Sequence, residues 1–97
     1  MPTYIALLRY TQKGIETAKD APARTAEARK RFEAAGASLK AVYLTMGRYD
    51  AVAIVEAPND ATIAKLALMG GSQGFLRTET MRAFTENEFR EIVASLP

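Results

Sequence analysis

Cysteine, histidine and tryptophan are all absent from this chain of 97 residues. Without cysteine there is no disulfide framework, and the redox compartment is left open. Losing cysteine and histidine together removes zinc–thiolate sites, axial haem histidine and the nucleophile–base pairs of most catalytic triads. Acid–base chemistry would fall to Asp, Glu, Lys, Tyr or Arg. No set of Asp and Glu has metal-ligand spacing, so neither a metal nor a cofactor is expected. A strong excess of positive or negative side chains is missing too: 13 basic and 11 acidic groups leave a net charge of +2. No basic strand is interleaved with aromatics, which argues against a nucleic-acid partner. The longest apolar runs fall far short of the ~20 residues that span a bilayer, so no membrane partner is expected. The chain passes from Met1 into a strand-like run at Thr3 without a basic segment and apolar stretch of the secretory kind. A cytoplasmic location is the expectation.

The length implies one domain over residues 1–97. A monomer of this size buries about 65% of the surface its unfolded chain exposes, enough for a core with little margin.

The hydrophobic pattern predicts four strands. Thr3–Tyr10 is nearly all apolar or aromatic; Leu39–Thr45 and Tyr49–Ala57 flank Met46-Gly47-Arg48 as a hairpin; Phe75–Phe84 is the fourth. Gly47 supplies the positive φ or bulge that a tight connection needs. Ile15–Asp20 reads as a short helical turn. A helix is predicted from the Asp20 cap through Pro22 to Ala35, with Gly36 as its left-handed stop. Thr25, Ala28, Phe32 and Ala35 share one face of it; only Phe32 is large, so this helix should sit close to what it covers. Asn59 and Asp60 cap a further helix to Met69, with Ile63, Leu66 and Ala67 inward. Thr85 and Glu88 have capping-box spacing, Phe84 and Phe89 that of a hydrophobic staple, and Phe89, Ile92, Val93 and Leu96 form an apolar stripe.

The order β-α-β-β-α-β-α predicts an α+β, ferredoxin-like fold with a C-terminal helix and one antiparallel four-stranded sheet. Its first and third strands are expected to be central and to run parallel to each other. The polar positions fall in the second and fourth strands, as edges require. Both faces of the central strands are apolar: Val52 and Ile54 oppose Ala51, Ala53 and Val55, and Ile5 and Leu7 oppose Ala6 and Leu8. A sheet face of about 400 Å² is as large as the biggest apolar patch of a typical soluble monomer. A homodimer packed through that face is expected, with the C-terminal helix as a partial alternative cover.

These residues resemble the GYD domain family, named for a Gly-Tyr-Asp motif. The likeness runs from Thr3–Leu8 through Lys19-Asp20, Pro22 and Arg24 to Tyr43–Gly47. It continues over Tyr49–Pro58, the Gly-rich loop, Arg77–Thr80 and Ala83-Phe84. Arg48 separates Gly47 from Tyr49-Asp50, so the tripeptide is not contiguous here. The resemblance implies a fold like that of dimeric α+β barrel proteins, whose members of similar architecture include monooxygenases, isomerases and stress-related proteins. It brings no established activity, and fold alone assigns none.

Candidate ligand-binding residues are Tyr43, Arg48, Tyr49, Asp50, Arg77 and Glu79. Asp50 beside Arg48 could serve as a base, with Tyr43 or Tyr49 orienting a ligand oxygen; alternatively Asp50 holds the turn through backbone N–H groups. Arg77 and Glu79 share a strand face and could project into a cavity between helices and sheet, Arg77 gripping a carboxylate or phenolate; alternatively they form an edge salt bridge. Lys19, Asp20 and Arg24 could ring a pocket mouth or be a cap with solvated charge. Arg29-Lys30-Arg31, with Glu27 and Glu33 in reach, reads as a solvated helix face. The Gly70–Gly74 loop follows a helix and so lies at the wrong dipole end for phosphate. The expected function is binding of a small apolar or aromatic molecule between helices and sheet. The alternatives are a cofactor-independent isomerase, decarboxylase or monooxygenase using Asp50, Arg48 or Arg77 and a tyrosine, and a structural or regulatory oligomer without a pocket.

Overall fold

The four apolar runs pair into one sheet in the computed structural model, which describes residues 1–97. The strands are β1 (Thr3–Tyr10), β2 (Ser38–Leu44), β3 (Ala51–Glu56) and β4 (Leu76–Ala83), in the order β2-β3-β1-β4. Helices α1 (Gln12–Glu16), α2 (Ala21–Ala34), α3 (Asp60–Ser72) and α4 (Glu86–Ala94) complete a ferredoxin-like βαββαβ chain with a C-terminal helix. A 3-10 turn at Ala18–Asp20 leads into α2.

β1 and β3 are central, with the polar β2 and β4 at the edges, as the sequence implies. They are antiparallel rather than parallel, Thr3 facing Glu56 and Leu8 facing Ala51. Each helical crossover skips one strand position, and the strand from the other unit fills the gap. The parallel pairs are therefore β1 with β2 and β3 with β4, none of them adjacent.

Side chains alternate across the sheet. Tyr4, Ala6, Leu39, Ala53 and Val55 face α2 and α3 and join Ile63 and Leu66 in the core. Ile5, Leu7, Val52 and Ile54 point to the opposite face, over which the chain places no helix. Both faces of the central strands are thus apolar, and only one is covered.

The helix ends follow local chemistry, with two corrections. Asn59 Oδ1 accepts the Thr62 N–H at 2.9 Å, and Thr85 with Glu88 forms the complete capping box. Asp20 makes no side-chain cap: its backbone is already helical (φ −90°, ψ −3°), whereas a cap side chain is aimed from an extended backbone. Gly36 (φ +80°) stops α2, but Gly70 and Gly71 lie inside the last turn of α3, and Gly74 (φ +82°) makes the stop.

Sheet and helices make a body only 18 Å thick but 52 Å long. The Cα radius of gyration is 14.6 Å, against about 12.5 Å for a compact chain of this length. The C-terminal helix α4 has no sizeable packing on any other element and exposes Phe89, Ile92, Val93 and Leu96.

Candidate functional site

The hairpin tip is built by Gly47 (φ +108°) and closed by Thr45, whose N–H donates to Asp50 O at 2.9 Å and whose hydroxyl donates to Tyr49 O at 2.7 Å. Tyr49 and Asp50 therefore lie in the connection, not in the strand. Asp50 ties the tip to β1: its Oδ2 accepts the Tyr10 N–H at 2.8 Å, and its own N–H donates to Leu8 O at 2.8 Å. One oxygen of the Asp50 carboxylate is thus bonded to the backbone, as the turn-holding alternative requires.

Tyr49 reaches across one end of the open face. Its hydroxyl donates to Glu79 Oε2 at 2.9 Å, and the guanidinium of Arg9 lies 4.9 Å from its ring centroid. Arg48 sits at 6.0 Å from the same ring, and Arg77 faces Arg9 across the β1–β4 ladder. Tyr43 stands opposite Val52 on the same face, 61% exposed. Five of the six candidates are thus grouped at this end and along the open face, and the sixth, Asp50, anchors it. Arg77 and Glu79 do not enter the space between helices and sheet. That space belongs to the other parity of β4, Thr78 and Thr80.

The space itself exists. A cavity of about 130 Å³ lies between α2, α3 and the covered sheet face, walled by Leu8, Phe32, Val55, Leu66 and Phe75. On the α2 side it is lined by the small Thr25 and Ala28 and by the large Phe32.

Two arginines of α2 border the cavity. Arg24 donates to Thr17 O and Thr17 Oγ1, both at 3.2 Å, and to Gly14 O at 3.5 Å, and stacks 4.3 Å from the Phe75 ring centroid. Of the suspected pocket-mouth group it alone lines the space; Lys19 and Asp20 are exposed. Arg31, read from the sequence as part of a solvated face, lines it as well. The signal was available: Arg31 follows Arg24 by seven residues, two helical turns, on the side of Ala28.

A second polar cluster went unnoticed in the sequence. The Tyr4 hydroxyl donates to Asp60 Oδ1 in the first turn of α3, and the Arg82 guanidinium lies 5.8 Å from the Tyr4 ring. The hydrogen bond to Asp60 holds the Tyr4 phenol above its ordinary range; burial and the Asp60 charge act the same way, and Arg82 opposes them. Arg82 also reaches Thr3 O at 3.2 Å and Glu88 at 3.6 Å. The Thr85 N–H, bonded to the Glu88 carboxylate, holds that group below its usual range. No group of three Asp or Glu side chains comes together to hold a metal ion, and no helix is long and apolar enough to cross a membrane.

A ferredoxin-like α+β domain with one covered face, one open apolar face and a cavity under its helices is the class that this geometry defines. Within it the chain belongs to the GYD domain family, whose profile matches residues 4–93. Over 84 residues it is 38% identical to the "Glutamine synthetase and cystathionine beta-lyase binding protein" of Thermus thermophilus, covering 86% of this chain and 88% of that one. Two crystal structures share the fold. One is of a Thermus thermophilus protein (TM-score 0.56, 23% identity, 88% of this chain and 95% of that one). The other is of a hypothetical protein from Pyrococcus horikoshii (TM-score 0.53, 19% identity, 89% and 93%).

Proposed function

We propose that this chain is a non-catalytic, cytoplasmic binding protein that pairs with a second copy through its open sheet face and docks on other proteins. The enzymes named for its Thermus relative, glutamine synthetase and cystathionine beta-lyase, are the partner class. The observation that carries the reading is the amount of apolar surface left without a cover. Ile5, Leu7, Val52, Ile54 and Met81 share the open face, and α4 carries a separate stripe that its own chain does not bury. Apolar patches of that extent mark protein interfaces. The engagement of Asp50 with the β1 backbone supports a non-catalytic role for the hairpin. The test is light scattering of the purified chain, followed by calorimetric titration into glutamine synthetase and cystathionine beta-lyase from the same organism. A dimer that binds either enzyme is the expected result. A monomer that binds neither would sink the reading.

A second reading is favoured by the cavity: a small apolar or aromatic molecule held between helices and sheet. It is compatible with the first, because the cavity and the open face lie on opposite sides of the sheet.

A further inference from the structure

The wall of the cavity carries two charged side chains, and both are cations. Arg24 and Arg31 stand two turns apart on α2, and no Asp or Glu lines the space. The salt bridges of the chain are Lys40–Glu56, Arg82–Glu88 and Arg90–Glu86, so neither arginine has an anionic partner. Both are half-buried. A cation drawn partly out of water against apolar walls is unfavourable unless an anion meets it.

The two guanidiniums are held differently. Arg24 spends both Nη1 hydrogens and one on Nη2 on neutral acceptors, Thr17 and Gly14, and its face on Phe75. Its Nε–H has no acceptor in the chain, and Nη2 makes only the long bond to Gly14 O, so donors remain for a carboxylate. Arg31 has no hydrogen-bond acceptor in the chain. One arginine is thus fixed in place and the other is free to close on a ligand. Thr25, Gln73, Thr78 and Thr80 add neutral polar groups to the lining, and most of the rest is hydrocarbon or aromatic. A few polar groups that orient a ligand against apolar walls are the usual make-up of a small-molecule site. The cavity volume of about 130 Å³ is near that of the roughly 150 Å³ space known to admit benzene.

We infer that the cavity binds a small apolar monocarboxylate, a single aromatic ring or a short aliphatic chain, with its carboxylate on Arg24 and Arg31. This rests on the small-molecule reading of the cavity and adds the charge of the ligand to it. Neither Arg77 nor Glu79 takes part, because both face the other side of the sheet.

The test compares phenylacetate with phenylacetamide, which has the same shape and no charge, by NMR titration of the full isotope-labelled chain. The expected result is binding of phenylacetate at least about ten-fold tighter than the amide, as a charge-assisted bidentate contact supplies. Amide signals of Ala28, Leu66 and Thr78 should shift, and added salt should weaken the acid but not the amide. Arg31→Gln, which breaks no hydrogen bond of the fold, should narrow the gap between acid and amide, leaving the share that Arg24 supplies, and should not change the amide. Arg24→Gln should act in the same direction, with its unfolding midpoint measured alongside because it also loses contacts to Thr17 and Gly14. Equal affinity for acid and amide in the unaltered chain would overturn the anion inference and leave the small-molecule reading standing. Loss of both ligands together in Arg31→Gln would also overturn it, since the arginine would then act by packing. Binding of neither probe would overturn both.

Discussion

The Asp50 carboxylate and the Tyr10 N–H, 40 residues apart in sequence, meet at 2.8 Å where the β1–β3 ladder runs out. With the Asp50 N–H on Leu8 O, one residue extends the ladder past its last strand pair, Leu8 with Ala51. Asp50→Ala is expected to lower stability by about 1–3 kcal/mol, since a partly buried N–H is left without its acceptor. Asp50→Asn keeps an acceptor oxygen and should lose less. Urea unfolding of both variants checks the order, and an equal loss would show that charge, not acceptance, is what matters there.

Gly14 packs against the backbone of β4's entry. A Cβ at this position would overlap the Phe75 carbonyl oxygen, which accepts the Thr11 N–H at 3.1 Å. Backbone cannot yield as a flexible side chain can, so Gly14→Ala should destabilise the chain by about 1–3 kcal/mol or more. The same shift would move Phe75 from under Arg24. A variant whose urea midpoint matched the unaltered chain would contradict this close approach.

Tyr4 gives the fold an alkaline limit. Its folded pKa is raised above the ordinary 10.0, first by the hydrogen bond to Asp60. Below that ordinary value the phenol is protonated whether folded or unfolded, and its contribution is fully present. Above it the unfolded chain ionises first, so stability falls as pH rises toward the folded pKa. Tyr4→Phe should flatten this alkaline decline while lowering stability at neutral pH. Unfolding midpoints measured from about pH 8 to 11 decide it, and an unchanged alkaline slope would place the titration elsewhere.

The open sheet face should respond to charge. Ile54→Lys puts an ammonium at its centre, away from the core, and should leave the proposed dimer a monomer with little change in far-ultraviolet circular dichroism. Light scattering reads the mass directly. A dimer that survived the substitution would move the interface to α4.

Much of this was legible in the residues. Alternation within TYIALL and AVAIV gives two apolar faces, Thr85 and Glu88 give a capping box, and the family likeness extends over residues 4–93. The failures have physical causes. A strand's parity shows that Arg77 and Glu79 share a face, but not which one; that is fixed only when Ala6 pairs with Thr80 and Leu7 with Glu79. Arg31 was hidden in a basic run whose neighbours, Arg29 and Lys30, do face water. Gly70 and Gly71 disfavour helix by about 1 kcal/mol each, yet the helix continues to its stop at Gly74. The Tyr4–Asp60 bond joins residues 56 apart, and no local pattern announces it.

The small side chains of α2 have a further consequence. An unfilled space of about 130 Å³ forgoes the contacts that packed side chains would make across it. One larger aliphatic residue at Ala28 would recover part of those contacts and take up the room. Tightness and vacancy are alternatives at this one position, and the native alanine leaves the vacancy.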